Sequence, residues 1–207
     1  MKRILLIIVI FIGALNTYAQ KVDYVEYKND VLLLGDKVAG LQIQMGTIMG
    51  AHYIEAYTDG DTKEYFLKID LQSPETIVPD LFLVNSKMLL KVSKEEVIEL
   101  TSVFHSHLGY GTTTGIPAYT LPSFHSVAYF PITEEQINKI CKKSLIKVRL
   151  EVRAYNNKEG VKIKHHDYKL GVTNMARFMK SIDENIELGL NRSNYKKLDR
   201  SNVSEGF

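Results

Sequence analysis

The stretch Ile146-Lys147-Val148-Arg149-Leu150-Glu151-Val152-Arg153 alternates apolar and charged residues with a period of two, and it constrains the fold more than any other segment. On a helix this order would scatter the apolar side chains around the axis. On a strand it gathers them on one face and leaves the charges on the other. The chain therefore builds a sheet with one wet face and one face that must be covered. Asn156-Asn157-Lys158-Glu159-Gly160 then turns the chain into a second alternating run, Val161-Lys162-Ile163-Lys164.

Further strand signals precede this pair. Tyr53-Ile54-Glu55-Ala56-Tyr57 and residues 64–69 flank Thr58-Asp59-Gly60-Asp61, where Asp-Gly suits the positive φ angles of a tight hairpin. Residues 87–92 and 97–104 pair around the polar Ser93-Lys94-Glu95-Glu96. Residues 22–27, 31–34 and 41–45 read as short strands punctuated by Gly35, Gly40, Gly46 and Gly50. Two helices interrupt the pattern. Thr133-Glu134-Glu135-Gln136 has the spacing of a capping box and predicts a helix over 133–143, with Ile137, Ile140 and Cys141 inward. Met175, Phe178, Met179, Ile182 and Ile186 recur at helical spacing and predict a second helix over 173–188, docked on the sheet. Segregated strands and helices indicate an α+β fold on a mainly antiparallel sheet, curled or folded into a sandwich. Nothing divides residues 20–190, which read as a single domain. Residues 191–207 are polar and aperiodic and read as a flexible tail.

The first 19 residues stand apart. Lys2 and Arg3 precede an apolar run over 4–12, and Thr17-Tyr18-Ala19 ends in a small residue, the three-part layout of a secretory signal peptide cleaved before Gln20. Its apolar run falls well short of the roughly 20 residues that span a bilayer, and no later segment is more apolar. The expected product is exported, periplasmic or extracellular, with no transmembrane segment in the mature chain. Cys141 is the one cysteine, so neither an internal disulfide nor a lipid-bearing cysteine after the leader is available. The chain carries 26 basic and 24 acidic residues, and without Lys2 and Arg3 the balance is 24 against 24. A neutral chain has no electrostatic pull toward nucleic acid.

The chemistry-bearing residues concentrate in one region. Phe104-His105-Ser106-His107 is answered by Phe124-His125-Ser126 across LGYGTTTGIPAYTLPS. With residues 97–108 as one strand, His105 and His107 share a face. In a hairpin centred near Gly115, position 105 pairs with 125, and three imidazoles with an open fourth position could hold Zn²⁺ and activate water. The segment from Leu108 to Ala128 contains no carboxylate to act beside such a metal, and a one-residue slip in register would separate the histidines. The loop 108–123 between them is long, glycine-rich and hydroxyl-rich, which suits recognition. Asp59-Gly60-Asp61 lacks the ligand count of a calcium loop, and Gly109-Tyr110-Gly111 lacks the lysine and helix of a phosphate loop. His165-His166-Asp167 sends its histidines to opposite faces of a strand.

These residues together describe an exported, non-enzymatic binding or scaffolding module without a cofactor. It acts through a sheet face and the loop 108–123, with Tyr110, Thr112, Thr113, Thr114 and Tyr119 as ligand contacts. An envelope protein, a peptide or a glycan is the expected partner. The alternative is a zinc-dependent hydrolase with His105, His107 and His125 as metal ligands. A third reading has the edge segment 161–164 adding to a partner's sheet.

Overall fold

The computed structural model describes residues 22–28, 30–42, 49–59, 62–74, 81–82, 85–113, 121–156 and 160–204. The leader, residues 1–19, lies outside these. The described chain forms two antiparallel sheets and two helices, the α+β architecture that the alternating runs require. The first sheet comprises β1 (Tyr24–Lys28), β2 (Val31–Gln42), β3 (Met49–Thr58), β4 (Lys63–Pro74), β8 (Phe104–Thr113) and β9 (Leu121–Ile132). Its order is β1-β2-β3-β4-β9-β8. The second holds β6 (Lys87–Lys91), β7 (Val97–Thr101), β10 (Leu145–Asn156) and β11 (Gly160–Gly171) in the order β11-β10-β6-β7, with the short β5 (Leu81–Phe82) paired to β10.

One face of each sheet turns inward. Leu32, Leu34, Ile54, Leu67, Ile69 and Phe130 from the first sheet share a single core with Met88, Leu90, Val148, Leu150 and Val152 from the second. The charged alternates of β10 stay outside, as period two demands. His52 on β3 meets Tyr168 on β11 across this core, where the phenol oxygen lies 2.7 Å from Nε2. Helix α1 (Glu134–Cys141) starts at Thr133 with both capping-box bonds formed: Gln136 N donates to Oγ1 at 3.2 Å, and Thr133 N donates to Gln136 Oε1 at 2.9 Å. Its Ile137 and Ile140 are fully buried. Cys141 is half-buried against the core, and that burial pushes its thiol above the ordinary range. Helix α2 (Thr173–Ser204) lays Met175, Phe178, Ile182 and Ile186 into the core, largely over β2, and Asp183 pairs with Lys63 of β4. Among the described residues no helix is long and apolar enough to cross a membrane.

Several sequence expectations change. Helix α2 continues past 188 to Ser204, through residues expected to be a loose tail. Gly35 and Gly40 do not punctuate short strands; both sit inside β2, a strand of 12 residues. The register of β2 on β3 shifts between Lys37 and Ala39. The bulged backbone there is satisfied by side chains, with Lys37 N donating to Asp23 Oδ2 at 2.7 Å and Asn174 Nδ2 donating to Lys37 O at 2.8 Å. Residues 97–108 are not one strand. Ser102 N donates to Ser86 O in the second sheet at 3.0 Å, and the next amide, Val103 N, donates to Tyr129 O in the first at 3.0 Å. The chain thus changes sheets between two successive residues. The Asp-Gly hairpin is present as a pairing of Thr58 with Lys63, and Asp59 Oδ1 accepts from Thr62 N at 2.9 Å. Gly60 and Asp61 lie outside the described residues.

Candidate aromatic face of the first sheet

Period two sends Ile54 and Ala56 of β3 into the core and Tyr53, Glu55 and Tyr57 to the opposite face. On β4 the same rule sends Phe66 and Lys68 outward, and on β9 it sends Tyr129. Register then aligns them in rows. Glu55 lies opposite both Gly35 on β2 and Phe66 on β4; Lys68 lies opposite both Tyr53 on β3 and Tyr129 on β9. Gly35 is in turn opposite Tyr24 on the edge strand.

Gly35 decides what happens next. A Cβ at this position would lie 2.1 Å from Tyr24 Cζ, so only glycine leaves room for the ring to lie across β2. Reaching over it, the Tyr24 hydroxyl donates to Glu55 Oε1. The Tyr57 hydroxyl donates to Oε2 at 2.8 Å, and Lys68 Nζ lies 3.0 Å from Oε1. Glu55 is only 1% exposed, so three donors compensate the loss of water around its carboxylate. Burial first, and then the bond to this carboxylate, hold the Tyr24 and Tyr57 phenols well above their usual range. Burial alone would lower the Lys68 ammonium, but its bond to Glu55 and the carboxylate's charge outweigh that and raise it.

Rings enclose the ion pair. Lys68 Nζ stands 5.4 Å from the ring centroids of Tyr24 and Tyr53 and 5.8 Å from that of Tyr129, within cation–π range of all three. Tyr57 and Phe66 meet edge to face at 5.4 Å, and Phe66 and Tyr129 do so at 6.3 Å. Beside the last three rings and Glu64 lies a shallow cleft of about 290 Å³. Charge is neutralised inside the cluster, and the surface it offers is aromatic with a polar rim.

The residues singled out by sequence fall elsewhere. His105 pairs with Ala128, and His125 pairs with Gly109 and, on its other side, with Gln72. The expected pairing of 105 with 125 is therefore not formed. The hairpin centre is displaced toward residue 117, and the ladder skips between Ser106 and Gly109, the interval that contains His107. The side chains of His105, His107 and His125 lie outside the described part of the structure. The loop is shorter than 108–123, because β8 and β9 claim both of its ends: Tyr110, Thr112 and Thr113 are strand residues paired with Phe124, Pro122 and Leu121. Thr114 and Tyr119 lie outside the described residues. His165 and His166 do part to opposite faces within β11, the first exposed and the second half-buried.

Sequence reasoning used Tyr-Ile-Glu-Ala-Tyr only to find a strand. The same alternation also announces a Tyr/Glu/Tyr face, and Phe66 and Lys68 across the hairpin continue it. Tyr24 carried no local signal, since its role depends on strand order. No protein family, curated protein or solved structure matches this chain.

Proposed function

We propose that the chain is an exported, non-enzymatic binding module that recognises a neutral glycan on the aromatic face of its first sheet. One observation carries this reading: the cleft bounded by Tyr57, Phe66 and Tyr129, with the exposed Glu64 at its rim. Rings locked edge to face present rigid apolar surface to the C–H face of a sugar at little entropic cost. Phenol and carboxylate oxygens fix its hydroxyls, the mixture of apolar walls and few polar groups that small-ligand sites use. Because Glu55 and Lys68 neutralise one another, the floor of the face calls for no charge on the ligand, and the rim carboxylate of Glu64 disfavours an anion. The β8–β9 hairpin, the segment in which sequence placed the ligand contacts, lies at the end of the same sheet. Export through the leader 1–19 brings the module to the periplasm or the exterior.

The test is calorimetric titration with a panel of neutral oligosaccharides of cello-, chito- and malto- type, repeated on Tyr57→Ala and Tyr129→Ala. Loss of either ring should weaken binding about tenfold or more, as expected when a central aromatic contact is removed. The proposal fails if nothing on the panel binds, or if binding survives both substitutions in proteins with an intact far-ultraviolet spectrum.

A further inference from the structure

The outer face of the second sheet carries a feature of a different kind. Register sets Lys169 on β11 opposite Lys147 on β10, and Lys147 opposite Lys91 on β6. All three are exposed. With strands about 4.8 Å apart, they form a straight row of cations crossing three strands.

Like charges directly opposite one another destabilise a sheet, and here the conflict occurs twice in succession. Elsewhere on this face the chain resolves its charges. Arg149 holds Asp167 through two bonds of 2.6 Å, Lys87 meets Glu99 at 2.7 Å and Arg153 meets Glu151 at 3.4 Å. For Lys91, Lys147 and Lys169 no carboxylate among the described residues stands within ion-pairing distance. The row lines a concavity of about 510 Å³ in which Leu89 and Val97 supply apolar surface. Repulsion unrelieved by the protein, in a concave place, is the complement of an external anion.

We propose that this row binds an acidic polysaccharide, a linear chain bearing one carboxylate on each sugar. The arrangement distinguishes among anions. A compact phosphate wants donors converging on a point, whereas these diverge along a line. An anionic membrane wants a whole face of one sign, whereas the rest of this face is internally paired. A uronate chain repeats its charge once per ring, close to the roughly 4.8 Å spacing of the strands, and its rings can rest on Leu89 and Val97. This site is independent of the aromatic face, which lies on the other sheet.

Titration of the purified protein with polygalacturonate at low ionic strength tests the proposal, alongside fully methyl-esterified polymer, inorganic tripolyphosphate and vesicles containing anionic phospholipid. The free-acid polymer should bind, with affinity falling as salt rises, and the ester should not. Lys91→Gln/Lys147→Gln/Lys169→Gln should lose about tenfold or more in affinity. It should be at least as heat-stable as the parent, since the substitutions remove repulsion. A charge-matched variant, Lys28→Gln/Lys94→Gln/Lys180→Gln, should bind as the parent does. The proposal is overturned if the polymer does not bind, if the ester binds equally, if both triple variants lose affinity alike, or if tripolyphosphate or vesicles bind more tightly.

Discussion

Replacing Gly35 by alanine should destabilise the protein through a residue on another strand. The new methyl would lie 2.1 Å from Tyr24 Cζ and 2.4 Å from its hydroxyl oxygen, so the ring must leave its place above β2. Its hydrogen bond to the Glu55 carboxylate, worth about 1.5–3 kcal/mol as a bond to a charged group, then goes. So does its share of the contact with Lys68 at 5.4 Å, worth about 0.5–1 kcal/mol. Against these losses, alanine regains about 0.5–1 kcal/mol that glycine gives up in a strand interior. The net cost is about 1–3 kcal/mol, or a fall of several degrees in melting temperature for a chain of this length. Urea unfolding followed by circular dichroism and tyrosine fluorescence measures it cleanly, because the chain contains no tryptophan. The decisive leg uses Tyr24→Ala as background, where Gly35→Ala should become neutral or stabilising by about 0.5–1 kcal/mol. An equal penalty with and without the Tyr24 ring would refute the reasoning.

Substitutions at two further positions test other parts of the fold. Burial holds the His52 imidazole down at about 4, against an ordinary value near 6.5. Below pH 6.5 the unfolded chain takes up a proton that the folded chain refuses, so this residue erodes stability as pH falls from about 6.5 to 4, by about 3 kcal/mol in all. Between pH 6.5 and 4 the stability of the parent should therefore fall relative to that of His52→Leu by about 3 kcal/mol; parallel curves would contradict it. Thr133→Ala removes the Oγ1 acceptor of Gln136 N and should cost about 1 kcal/mol in chemical unfolding, whereas Thr133→Gly should cost only a few tenths beyond the parent. A neutral Thr133→Ala would show that the cap does not hold α1.

What was legible in the sequence was local. The capping box at Thr133, the alternation over β10 and the Asp-Gly hairpin each depend on neighbours within a few residues, and each stands in the structure. What was illegible required knowledge of distant strands. Gly35 looks like a turn residue until Tyr24 is known to lie across it from β1. Ser102 and Val103 look like strand interior until their amides are seen to serve different sheets. The histidine register was drawn from symmetry about Gly115, and a ladder interruption between Ser106 and Gly109 spoils any such construction. The helix past residue 188 lacks the apolar period that sequence reading relies on. Among the site residues, the Tyr/Glu/Tyr face of β3 could have been read from alternation alone, while the paired lysines of β6, β10 and β11 could not, since β6 and β10 are joined by no hairpin.

The change of sheets at Ser102 also shapes how the chain can assemble. Among the described residues, six of the nine strand pairings join neighbours in sequence: the three of the meander β1 to β4 and the hairpins β6–β7, β8–β9 and β10–β11. Such units close short loops at small entropic cost and can form early. The three pairings that knit them together, β4 with β9, β6 with β10 and β5 with β10, join residues as far apart as Tyr65 with Ile132, Met88 with Leu150 and Phe82 with Arg153. Since β7 and β8 are separated by only Ser102 and Val103, docking one hairpin on its sheet delivers the next to the other. The short crossover thus couples completion of both sheets into one late cooperative step.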